Sequence, residues 1–112
     1  MKIVNLTAFR ALPENTVFSK YAPCYFEELQ IKGETWEVDF LSQPIADAIE
    51  TDGAGDFSDK LRRAQETGES LAMDFHCPGR DGLFEPDQLF AVWEPDDVLA
   101  LIERLKECLP GK

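Results

Sequence analysis

Five consecutive apolar residues, Leu89 to Trp93, run directly into Glu94-Pro95-Asp96-Asp97. A strand that is apolar on both parities needs cover on both faces, so it belongs in the middle of a sheet. Pro95 suits the first position of a helix, and Asp96 and Asp97 suit its positive end. Val98, Leu101, Ile102, Leu105 and Leu109 then recur at helical spacing. They predict an amphipathic C-terminal helix with a buried stripe. Arg104 and Lys106 fit its second half, and Pro110-Gly111 ends it.

The rest of the chain reads as short elements. Lys2 to Asn5 predicts a strand. Thr7 can cap one helical turn through Phe9 and Leu12 before Pro13 stops it. Thr16 to Tyr21 is β-branched and aromatic, the composition of a strand. Lys32-Gly33 reads as a tight turn. Thr35 to Leu41 alternates, with Trp36, Val38 and Phe40 on one face and Glu37 and Asp39 on a solvated one. Pro44 to Glu50 fits a short helix. A second helix starts at Asp56 or Ser58, carries Phe57, Leu61 and Ala64 inward, and stops at Gly68. Ser70 to Cys77 alternates again, with Leu71, Met73, Phe75 and Cys77 inward. Together these elements predict an α+β fold over residues 1–112 as a single domain. An antiparallel sheet of about five strands packs against helices and the C-terminal amphipathic helix.

Charge is the second constraint. The chain carries −11 net, and 15 of its 22 acidic residues lie in two stretches, 33–59 and 81–103, that hold no Lys or Arg. The hydrophobic content of 44% is that of a folded chain, so the acidity sits on a folded body. Such a field repels nucleic acid and attracts basic surfaces. No apolar run approaches the length of a membrane span, and Asn5, Thr7 and Arg10 interrupt any signal-peptide core. The expected compartment is the cytoplasm. Three widely spaced cysteines, Cys24, Cys77 and Cys108, form no disulfide framework and read as buried free thiols.

Candidate chemistry fails on spacing. His76 and Cys77 are adjacent on a predicted strand, so they point to opposite faces and not at each other. Cys24, His76, Cys77 and Cys108 lack the paired spacing of a zinc site. Asp52-Gly53-Ala54-Gly55-Asp56 has Ala54 and Phe57 where a calcium loop needs a ligand and a glycine, and Ser58 breaks the dinucleotide fingerprint. Asp81-Gly82 is a turn dipeptide, and Phe84 after it is expected to tuck under. Glu27-Glu28 and Asp96-Asp97 offer paired carboxylates, but acid–base work needs them convergent in a cleft. No metal and no cofactor is expected.

What remains is recognition. Glu37, Asp39, Asp47, Glu50, Asp52 and Asp56 can present a phosphate-like array to a basic partner protein, with Trp36 or Phe57 as an apolar anchor if exposed. Size, charge and the absence of catalytic motifs resemble small acidic bacterial immunity proteins and phage-encoded inhibitors. The resemblance matches no motif residue by residue and assigns no residue a role. The expected function is a small acidic, non-catalytic binding protein with a basic protein partner, without direct nucleic-acid or membrane contact. Two rivals stand beside it. One is an accessory subunit that self-associates through Leu89–Trp93 or Phe84. The other is a small thiol- or carboxylate-dependent enzyme.

Overall fold

A computed structural model describes residues 1–82 and 85–111. Phe84 lies outside the described residues. The chain order is β1 (Lys2–Val4), α1 (Leu6–Arg10), β2 (Val17–Ala22), β3 (Tyr25–Phe26), β4 (Gln30–Trp36), β5 (Asp39–Pro44), α2 (Ala54–Thr67), β6 (Gly79–Arg80), β7 (Leu89–Trp93) and α3 (Pro95–Lys106). All described strand pairs are antiparallel, in the order β1-β7-β2-β4-β5-β6, with β3 on β2. The fold is α+β. Five strands have three residues or more, and β3 and β6 are two-residue additions.

β7 lies between β1 and β2, and Phe90, Ala91 and Val92 are all buried, as its two-sided apolarity requires. These side chains are therefore not free to form an interface. Register places Val4, Phe90, Val92 and Phe18 on one face of the sheet. Phe9 of α1 closes that face. Its ring stacks on Phe90 at 3.9 Å and meets Phe18 and Phe40 at 4.7 and 4.9 Å. Four phenylalanines thus form the centre of the core, with Val4, Leu6 and Leu12 around them. α1 is capped by Asn5, not Thr7: the Asn5 carboxamide accepts the Ala8 N–H at 2.9 Å.

Several expectations fail for local reasons. The tight turn falls at Glu37-Val38, between paired Trp36 and Asp39, so the expected strand 35–41 is the end of one hairpin arm and the start of the next. Glu37 takes a left-handed φ of 52° there, a place glycine usually fills. Gly33 sits inside β4, where a Cβ would lie 2.9 Å from that of Leu41 and the register shifts between Lys32 and Thr35. Its glycine is explained by close backbone approach, not by a turn.

Residues 44–50 form no helix, and 70–77 no continuous strand. A single bridge, Ile49 to Met73, joins these segments. Glu50 N–H to Ala72 O and Asp74 N–H to Ala48 O, both 2.9 Å, support the bridge. α2 lies between them and has no buried residue. It ends at Gly68, whose positive φ and N–H bond to Ala64 O make the expected C-cap. The expected inward set of the 70s segment is not a core face, since Met73, Phe75 and Cys77 are exposed. All three cysteines are exposed, which corrects the buried-thiol expectation.

α3 begins as expected, with Pro95 in its first turn and the Asp97 carboxylate accepting the Glu94 N–H at 2.9 Å. Its apolar stripe, however, is not buried. Of the expected stripe, Ile102, Leu105 and Leu109 are 45–56% exposed and Val98 and Leu101 half-buried; Leu99, beside the stripe, is 57% exposed, and no α3 residue is buried.

Candidate functional site

The acidic residues of the 33–59 stretch do not form one array. Trp36 and Glu37 lie at the tip of the β4–β5 hairpin, while Asp47 follows the far end of β5. The six residues of β5 span about 20 Å. Two separate groups result.

At the hairpin tip, Trp36 is exposed, and its indole N–H donates to Glu34 at 3.1 Å. The Arg80 guanidinium lies over the same ring, 5.8 Å from its centroid. Asp39 does not face solvent. It is 5% exposed, and its carboxylate accepts the N–H groups of Phe40 at 2.8 Å and Gly82 at 3.0 Å, and the Arg80 Nε–H at 3.0 Å. Its role is to clamp the loop after β6 to the start of β5.

The second group is the segment from β5 to α2. Asp47, Glu50 and Asp52 are exposed. Asp56 is half-buried and engaged internally, accepting the Asp52 N–H at 3.0 Å and pairing with Lys60 at 3.6 Å. Lys60 also donates to Glu50 O at 2.7 Å. This leaves Glu37, Asp47, Glu50 and Asp52 as carboxylates with no ion pair within 4 Å among the described residues. Phe57, exposed, lies in the first turn of α2 after them. Some other acids are tied, Asp81 to half-buried Lys20 at 3.0 Å, Asp59 to Arg62 and Glu103 to Lys106, while exposed Glu27, Glu28, Asp87 and Asp96 have no ion pair within 4 Å among the described residues.

Besides the paired Met1 ammonium, raised, and Asp97 carboxyl, lowered, chiefly by their mutual hydrogen bond, two groups have displaced acidities. Burial pushes the Lys32 ammonium below the usual lysine range, and the charge of Glu14 partly offsets this. Lys32 is 2% exposed, donates to Thr35 Oγ1 at 2.7 Å and Gly33 O at 3.2 Å, and lies 5.7 Å from the Phe9 ring centre. Sequence reasoning missed it, because Lys32-Gly33 looks like a turn and lysine is seldom buried. Desolvation raises the Cys77 thiol, as do the charges of Asp74 and Asp47. That is the opposite of what a nucleophilic thiolate needs. His76 and Cys77 are both exposed, and the Cys77 N–H is held by the Gln43 side chain at 2.8 Å. The cleft beside His76 holds about 180 Å³, well short of the ~300 Å³ or more of ordinary ligand sites.

Among the described residues, no three His, Cys, Asp or Glu side chains gather as a metal site, and no helix is long and apolar enough to cross a membrane. An apolar groove of about 520 Å³ lies where β7 hands over to α3. Leu12, Val17 and Trp93 form one wall, and Val98, Leu99 and Ile102 the other. No family model, curated protein or solved structure matches this chain.

Proposed function

We propose that this chain is a non-catalytic binding protein that recognises a basic surface on a partner protein. The observation that carries the reading is the segment 47–57, where three exposed carboxylates without internal cations precede an exposed phenylalanine. Uncompensated carboxylates steer a basic partner, and an aromatic beside them supplies the apolar contact that holds it. The hairpin tip, with Trp36 and Glu37, is a smaller second contact. Asp39 and Asp56 drop out of the recognising set, because internal donors already occupy them.

The test is capture by the tagged full chain at low and high salt, followed by association kinetics with the purified captured protein. The reading expects a stoichiometric basic protein, with association slowed at high salt. Combined Asp47→Lys, Glu50→Lys and Asp52→Lys should slow association at least ~10-fold and flatten the salt dependence. Unchanged association by the triple variant would overturn the assignment.

A further inference from the structure

The molecule exposes far more surface than its size calls for. Its accessible area is 7855 Å², against roughly 6,200 Å² for a folded monomer of 12.7 kDa. Its radius of gyration is 16.3 Å, against about 13 Å for a compact chain of this length. The excess area exceeds the ~800 Å² that each partner contributes to a stable interface. Part of the unburied apolar surface, Leu99, Ile102, Leu105 and Leu109, lies together on α3 and the turn after it, while Tyr25, Phe26, Val38 and Phe75 are among the exposed side chains elsewhere.

We propose that two copies of this chain pair through α3 in an antiparallel, two-fold contact. The Leu105–Leu109 end of each helix seats in the groove beside the first half of the other. This surface is separate from the acidic segment 47–57, and the inference goes beyond the function proposed above.

Three observations select a second copy over another occupant. First, donor and acceptor are both present on one chain: a groove at the N-terminal half of α3, and exposed Leu105 and Leu109 beyond it. A two-fold contact needs such self-complementarity. Second, the charges run in opposite senses along the helix. Glu94, Asp96 and Asp97 stand at its start, with Glu14 on the groove rim. Arg104 and Lys106 stand in its last turn. An antiparallel pair keeps the acidic starts of the two helices apart, sets the charge-balanced end of each, with Arg104 and Lys106, against the acidic start of the other, and opposes the helix dipoles. A parallel pair would stack acid on acid. The counter-charges are local: Lys2 lies 3.9 Å from Glu94, the Met1 ammonium meets Asp97, and Glu103 and Glu107 pair with Lys106 and Arg104 on the same helix. Third, the two-fold axis falls on Val98 to Ile102, which carries no charge. The net −11 of each copy is thereby kept off the centre of the contact.

The test is sedimentation velocity of the full chain across micromolar concentrations at physiological salt. The expected mass is twice 12.7 kDa. Leu105→Glu replaces an exposed side chain, so it should keep the far-ultraviolet spectrum while weakening the dimer at least ~30-fold. Orientation is read by oxidation in a background where Cys24, Cys77 and Cys108 are serine. Ile102→Cys, near the axis, should cross-link to itself, and Leu109→Cys, at the far end, should not. A monomer at all concentrations overturns the proposal. A dimer indifferent to Leu105→Glu, or one cross-linked equally at both positions, overturns it too. None of these results bears on the charge-reversal test of the 47–57 segment.

Discussion

Phe9 is the side chain on which the core most depends. It is fully buried and touches the three other core rings, with the closest at 3.9 Å. Phe9→Ala removes a ring that neighbours cannot replace, since α1 has five residues and no other buried side chain. Truncating a buried phenylalanine costs about 3–5 kcal/mol. A chain of 112 residues has roughly 6–17 kcal/mol of stability in total. The variant therefore folds weakly or not at all. With a urea slope of ~2 kcal/mol/M, the midpoint falls by about 2 M. The assay is urea unfolding followed by far-ultraviolet circular dichroism, with Phe57→Ala as the control. Phe57 is also on a helix but is 38% exposed, and α2 buries nothing. Its truncation should cost under about 1.5 kcal/mol. The reasoning is refuted if Phe9→Ala shifts the midpoint by less than ~1 M at unchanged slope, or if Phe57→Ala shifts it as far.

Two further predictions concern polar groups. Asp39→Ala leaves the Phe40 and Gly82 N–H groups without their carboxylate and should cost about 2–4 kcal/mol, whereas Arg80→Ala, whose side chain is 64% exposed, should cost at most ~1 kcal/mol. Denaturation midpoints showing the reverse order would contradict the clamp. Lys32 sets a pH dependence: its folded pKa is lowered by burial, so between that value and the usual lysine value the unfolded chain binds more protons. Its contribution to stability therefore rises with pH through that window, and the stability difference between the native chain and Lys32→Met should rise with it. A flat or falling difference would mean that Lys32 titrates as an exposed lysine.

Sequence patterns exposed the parts of this fold that are locally determined. β7 is legible because five apolar residues in a row have few alternatives, and the start of α3 because Pro95, Asp96 and Asp97 each favour it. Gly68 is legible because the left-handed cap selects glycine. The β4–β5 hairpin was not, because the turn uses Glu37 at positive φ while a glycine four residues earlier marks a close approach to Leu41. Alternation from Trp36 to Phe40 then runs through a turn and loses its meaning as a face. Helical periodicity in α3 correctly gave an apolar stripe, but a stripe says only that one side avoids water, not that this chain supplies its cover. The acidic site failed in the same way. Glu37 and Asp47 are close in sequence and separated by the length of β5, and no local pattern reveals that Asp39 holds Gly82.

The bridge between Ile49 and Met73 has a consequence for how this chain can change over time. Ser42 pairs with Gly79 and Leu41 with Arg80, so the backbone leaves the sheet after Pro44 and returns beside its point of departure. Everything from 45 to 78 is an excursion that begins and ends at one edge. Lengthening such an excursion costs little closure entropy. A short turn joining Pro44 to Gly79 would leave the four-phenylalanine core untouched, because none of its rings comes from the excursion. The arm that bears Asp47, Glu50, Asp52 and Phe57 can thus be exchanged, resized or re-sequenced without touching the rings that hold the sheet together.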